Sequence, residues 1–186
     1  MTCLWKHTPA PEKEVEGLAK ALKCSKALAS VLWNRGIRDA GTAAGFLSPK
    51  LANLSDPFLL PGAREAAELL RSALNKKLRI TLFSDYDVDG LTSSALLCRC
   101  LRAHGGIVET FLPDRMTEGY GLTRKAVERC LAATRPELLI VLDCGTNSLE
   151  EVARVRGGGL AVIVVDHHEP EALAEPDVLM NPKAPY

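Results

Sequence analysis

The residues able to do chemistry in this chain come in three short clusters. They are Asp85, Asp87 and Asp89 in SDYDVDG, Asp143 in DCG, and the triplet Asp166-His167-His168. Carboxylates gathered this densely repel one another unless cations neutralise them, and neutral imidazole is the commonest metal ligand. A mixed Asp/His set favours Mn2+ or Mg2+ over zinc, which attracts thiolates. Two such ions about 3.5–4 Å apart can activate a water and clamp the scissile phosphate of a phosphodiester. The pattern therefore predicts a metal-dependent phosphoryl-transfer site.

Each cluster has a plainer reading beside it. If SDYDVDG stays extended, its three Asp side chains at i, i+2 and i+4 share one face, and Gly90 then turns the chain into a helix near Leu91 whose amides can meet a phosphate. A purely structural Asp turn remains open for that motif alone. A calcium-binding EF-hand does not, because the twelfth position is Leu96 rather than Glu and a strand precedes the loop. Asp143-Cys144-Gly145 is weak by itself. Cys144 has no His paired with it in sequence and reads as a small residue in a crowded turn. Adjacent imidazoles behind a carboxylate have no packing rationale, so Asp166-His167-His168 carries the most weight. His7 and His104 receive no role, and Gly157-Gly158-Gly159 is a turn, since no GK[ST] follows it.

These clusters need elements to hold them. RITLF precedes the first, LLIVL the second and LAVIVV the third, each an apolar strand-like run. From Lys77 the pattern alternates: strand 79–84, helix 91–104, strand 107–112, helix 123–134, strand 138–142, helix to Arg156, strand 160–165, and a short strand 178–180. Such alternation predicts an α/β fold, a parallel sheet flanked by helices. Parallel strands present their carboxyl ends on one rim, where such sheets bind ligands. Ser148-Leu149-Glu150-Glu151 reads as a capping box. Residues 1–75 form a helical segment, with Val15, Leu18, Ala19 and Leu22 on a first helix and Leu28, Val31 and Leu32 on a second capped by Ser25. Asp39 caps a third, and a helix spans 64–74. The expected division is 1–75 helical segment and 76–186 phosphoesterase domain.

Composition narrows the setting. The chain has 186 residues, 47% of them hydrophobic, and its 23 basic and 23 acidic residues cancel, so no bulk field points to non-specific DNA coating. No apolar run reaches bilayer length, and the start MTCLWKHTPAPEKE lacks a secretory apolar region. The six cysteines show no finger spacing, which argues against structural zinc and for free thiols in a reducing cytoplasm.

The motifs together resemble the DHH phosphoesterases, and among them the RecJ-type single-strand DNA exonucleases. Asp166-His167-His168 is the family's own triplet. DYDVDG at 85–90, DCG at 143, PDRMTEGYGL at 113–122 and MNPK at 180–183 match, as do NRGIRDAGTAAGFLSP and DPFLLPGAREAAELL in the leader. The resemblance implies 5′-to-3′ degradation of single-stranded DNA in repair and recombination, with a pair of Mn2+ or Mg2+ ions. By motif, Asp87 and Asp89 each bind one ion, Asp143 bridges them and His167 completes the second. His168 faces the scissile phosphate, Asp166 orients the imidazoles, and Arg115 and Tyr120 contact the DNA strand. A single-strand-binding protein or a helicase would be the protein partner. Many relatives place a His four residues before the first ligand; Phe83 stands there, so the first ion lacks that ligand unless Asp85 replaces it. The family's fourth aspartate motif and closing domain are absent from this sequence, which reads as the amino-terminal portion of a longer protein. Two other readings stay open: a phosphoesterase of small nucleotides, and a non-catalytic nucleic-acid-binding scaffold.

Overall fold

The structure, a computed structural model, describes residues 8–185; Cys3 and His7 lie outside the described residues. The chain forms two compact units that divide between Ser55 and Asp56. The first contains α1 (Glu12–Leu22), α2 (Lys26–Asn34), α3 (Ala40–Leu47) and a 3-10 turn at Leu51–Asn53. Ser25 and Asp39 cap α2 and α3, their side chains accepting from the amides of Leu28 and Thr42. Val15, Leu18 and Ala19 pack with Ala29, Leu32 and Ala43. Of the expected stripe on α2, Leu32 is buried but Leu28 and Val31 are exposed, and small Ala29 takes their place in the core.

The second unit opens with a 3-10 turn at Pro57–Leu59 and α4 (Ala63–Asn75). There follow β1 (Arg79–Ser84), α5 (Val88–Ala103), β2 (Ile107–Phe111), α6 (Arg124–Thr134), β3 (Leu138–Leu142), α7 (Leu149–Gly157), β4 (Ala161–Val165) and β5 (Val178–Met180). All five strands run parallel in the order β2-β1-β3-β4-β5. Strand alternation sends side chains to two separate cores. Phe83, Leu139, Val141, Val162 and Val164 meet Ala126 and Val127 of α6 and Val152 and Val155 of α7. Ile80, Leu82, Leu138, Ile140 and Ile163 meet Ala66 and Ala73 of α4 and Cys98 and Leu101 of α5. The parallel α/β expectation therefore holds, with helices on both faces.

Two further local expectations fail. Helix α5 begins at Val88, not Leu91, so DYDVDG does not remain extended. Asp87 is its N-cap and Asp89 lies in its first turn, which sends Asp85 inward and leaves the other two exposed. The capping box at Ser148 is also unmade: the Ser148 side chain makes no cap hydrogen bond, and its backbone sits outside the extended region that reciprocal capping uses. Among the described residues, no helix is long and apolar enough to cross a membrane.

Candidate metal centre

The strand order reverses between β1 and β3, and in open parallel sheets ligands bind at the carboxyl ends of the strands beside such a switch point. Asp85 and Asp87 follow β1, Asp143 follows β3 and Asp166 follows β4, three adjacent strands of one sheet. The first loop is tight. Asp87 accepts the Gly90 amide at 3.0 Å, and this bond comes first among the causes that hold its carboxyl below the usual range. Gly90 packs so closely that an added Cβ would lie 2.3 Å from the Asp85 carbonyl oxygen.

Asp143 adopts a left-handed backbone at φ 62°, a conformation Asp tolerates better than most residues. Its amide bonds Val165 O at 2.8 Å, tying the end of β3 to the end of β4. Burial, and then the facing Asp87 carboxylate, push the Asp143 carboxyl up to about 6. Oδ1 lies 3.0 Å from His167 Nε2, while Oδ2 is buried with no hydrogen-bond partner.

Asp166 organises the histidine pair. Its Oδ1 accepts the amides of His167 (2.7 Å) and His168 (3.1 Å) and lies 2.7 Å from His168 Nδ1; its Oδ2 accepts the Thr146 amide at 3.0 Å. Burial alone would raise this carboxyl, but the bonds from Thr146 and His168 bring it down to about 2. The bond to Asp166 in turn raises the His168 pKa. With Nδ1–H donating to Asp166, neutral His168 presents the Nε2 lone pair, and the Tyr120 hydroxyl sits 3.1 Å from it. Burial lifts the Tyr120 hydroxyl to about 12, so it remains a donor.

Ligand atoms of Asp143, His167 and His168 all lie within 4.8 Å of one another. The site thus brings together Asp87, Asp143, Asp166, His167, His168 and Tyr120. Asp89 stands exposed on α5, outside that tight trio. Asp85 is fully buried, with no well-formed hydrogen bond to either carboxylate oxygen; burial raises its pKa, and the nearby Tyr86 and Gly121 amides only partly offset that. Arg115 is exposed, its guanidinium 5.5 Å from the Tyr86 ring, and Tyr86 meets Tyr120 edge-on at 6.3 Å. The donor set is mixed, the carboxylates of Asp87 and Asp143 with the imidazoles of His167 and His168, and with a buried Asp143 oxygen free of hydrogen bonds it suits a divalent cation. Cys144 packs into the core, where burial pushes its thiol well up and makes it a poor thiolate ligand.

Sequence reasoning missed two supports. Glu118, in the EGYG stretch, is buried and grips Arg129 of α6, fixing the loop that carries Tyr120. Thr146 and Asn181 join the turns behind the histidines. Their positions within DCGT and MNPK were the available signal, but neither residue type announces a role.

The model of the DHH family, N-terminal domain, matches residues 79–186. The single-stranded-DNA-specific exonuclease RecJ of Bacillus subtilis is 33% identical over 182 residues, covering 97% of this chain and 23% of the relative. RecJ of Thermus thermophilus is 39% identical over 162 residues, covering 87% and 23%. The crystal structure of RecJ in complex with Mn2+ from Thermus thermophilus superposes with a TM-score of 0.66 at 33% identity, over 93% of this chain and 24% of that one. The chain spans less than a quarter of the length of these curated relatives.

Proposed function

We propose that this chain, which belongs to the DHH family, is the metal-bearing part of a 5′-to-3′ exonuclease acting on single-stranded DNA. One observation carries the reading. Asp143, His167 and His168 converge within 4.8 Å from two neighbouring strand ends, beside the Asp87 carboxylate and a buried, unbonded Asp143 oxygen. The RecJ relatives and the manganese-bound RecJ structure support the substrate and the metal. The helical leader over 1–75 and the catalytic segment over 76–186 belong to the same reading, since every candidate ligand lies in the second.

Asp87, Asp89, Asp143 and His167 would hold two Mn2+ or Mg2+ ions, with Asp85 as a further candidate in place of the histidine that Phe83 lacks. Bound ions would polarise the phosphodiester and lower the pKa of an attacking water. The protein's own groups do the rest. Asp166 fixes the ring orientation and tautomer of His168, which directs Nε2 outward. The bond to Asp166 favours the imidazolium form of His168, whose Nε2–H would donate to a phosphate oxygen in place of its contact with the Tyr120 hydroxyl. Arg115 and Tyr120 are the candidate contacts to the strand, a cation for phosphate and a ring for a base. A cytoplasmic setting, with a single-strand-binding protein or a helicase as partner, follows from the same assignment.

Calorimetric titration with Mn2+ tests the centre. Wild type should bind, and Asp143→Ala should abolish binding of at least one ion, because this carboxylate would serve as a ligand at the centre of the site. Equal affinity in the two proteins would remove Asp143 from the site. Hydrolysis of a 5′-labelled single strand, compared with a dinucleotide, tests the substrate; preference for the dinucleotide would overturn the exonuclease reading.

A further inference from the structure

The 3.0 Å approach of His167 to Asp143 joins residues from two different strand ends, and His167 is exposed. Something behind them must fix the two turns against each other. Asn181, directly after β5, is fully buried. Its Nδ2 donates to Thr146 Oγ1 and to the His168 carbonyl, both at 2.9 Å, and its Oδ1 accepts the Lys183 amide at 3.0 Å. Thr146 is fully buried too, and its amide is the donor to Asp166 Oδ2. The Thr146 carbonyl accepts from Ala174 at 2.8 Å, and the Asp166 amide donates to Met180 O at 2.9 Å. One side-chain amide therefore crosses from β5 to the turn after β3 and to the turn after β4.

We propose that Asn181 and Thr146 are positioning residues of the metal centre, setting the His167-His168 turn against the Asp143–Thr146 turn. The inference rests on reading this site as a divalent-metal centre. The chemistry explains the residue types. Asn offers two N–H donors on one nitrogen, and here each is spent on a different turn. Aspartate, nearly the same shape, offers none and would set a carboxylate oxygen against the His168 carbonyl. Thr146 supplies the acceptor from its side chain and the donor to Asp166 from its backbone. A change at either residue is therefore expected to reach both the spacing of Asp143 and His167 and the orientation of His168.

The test uses the full 186-residue chain in five forms: wild type, Thr146→Val, Thr146→Ser, Asn181→Asp and Asn181→Ala. Thr146→Val keeps the volume but removes the Asn181 acceptor, and Thr146→Ser keeps the hydroxyl. Partners that orient metal ligands typically contribute about ten- to a hundredfold in affinity. Thr146→Val and Asn181→Asp should thus bind Mn2+ about tenfold or more weakly in calorimetry while still unfolding cooperatively, and Thr146→Ser should restore wild-type affinity. A purely structural role would lower the unfolding midpoint and leave Mn2+ affinity unchanged, and that result overturns the proposal. If the Asn181 variants fail to fold, the Thr146 pair decides. If wild type itself binds no Mn2+, the metal reading fails separately. The His168 Nδ1–H resonance of the metal-free protein then decides: it should shift in Thr146→Val and hold in Thr146→Ser, and an unchanged resonance in Thr146→Val overturns the proposal.

Discussion

Arg129→Ala should destabilise the chain in a pH-dependent way, and the structure sets the size of the effect. The Glu118 carboxylate, 2% exposed, accepts Arg129 Nε at 2.6 Å, Arg129 Nη2 at 2.7 Å and the Asp114 amide at 2.7 Å. Arg129 also donates to Leu112 O at 2.9 Å and stacks 4.2 Å over Phe111. The bidentate bond from Arg129 leads the causes that lower the Glu118 carboxyl from 4.5 to about 2. At full strength such a fall is worth about 3 kcal/mol. The guanidinium is 49% exposed and screened by water, so about 1.5–2 kcal/mol is the realistic share. Truncation also strands a buried carboxylate with one amide partner, bringing the expected loss to about 2–3 kcal/mol at pH 7. In wild type, the native pKa lies below the unfolded one. That stabilisation is present above about 4.5 and fades as pH falls towards 2. In the variant, burial without the cation puts the native pKa above the unfolded one, so acid helps rather than hurts. The gap between the two proteins should therefore narrow by about 1.5 kcal/mol between pH 7 and pH 3. Urea titrations across that range measure it directly. A gap that stays constant with pH would show that Arg129 acts through packing on Phe111 alone.

The remaining expectations concern the metal loops. Gly90→Ala would put a Cβ 2.3 Å from the Asp85 carbonyl oxygen and 3.0 Å from its amide nitrogen, backbone atoms that cannot yield cheaply. A loss of about 1–3 kcal/mol is expected, together with weaker Mn2+ binding as Asp87 loses its cap bond; unchanged urea midpoint and affinity would refute the crowding argument. Mn2+ affinity should rise with pH through about 6 and then level, because the Asp143 carboxyl, pushed up to about 6, must release its proton to ligate. In the metal-free protein the same raised carboxyl favours the fold at low pH and loses that contribution between about 4 and 6. Calorimetry in buffers of different ionisation enthalpy counts the released proton, and none released at about pH 5.5 would remove Asp143 from the coordination.

The fold was legible because its signals are cumulative. Arg79–Ser84 and Leu138–Leu142 have the bounds that apolar runs and turn residues predict, since a strand buried on both faces has little else it can be, and the short edge strand Val178–Met180 matches as well. The beginning of α5 was not legible. Periodicity registers apolar residues, whereas the first turn of α5 is fixed by the Asp87 side chain on the Gly90 amide and by the lack of a Cβ at Gly90. That single displacement decides which of three equally spaced aspartates is buried. The Ser148 box failed for a related reason: a four-residue pattern specifies which groups can bond, while the Gly145 turn before it, at φ 104°, dictates the backbone that Ser148 receives.

The same distinction explains the site. Chemically conspicuous residues announce themselves by type, so Asp143 and the histidine pair are found without a structure. Asn181, Thr146, Glu118 and Arg129 are ordinary polar residues whose importance lies in burial and in partners far away in sequence, 35 residues apart for Asn181 and Thr146. No local pattern encodes that separation. Meanwhile the centre carries features that work against the metal-free fold: Asp143 in a left-handed backbone, an unbonded Asp143 oxygen, and a buried Asp85 with no well-formed hydrogen bond to either oxygen. Packing gains nothing from them, and an unpaired buried carboxylate costs several kcal/mol or its own ionisation. A bound cation would offset such a cost, and the hydrogen bonds of Asp166, Thr146 and Asn181 join the turns after β3 and β4 that would carry its ligands.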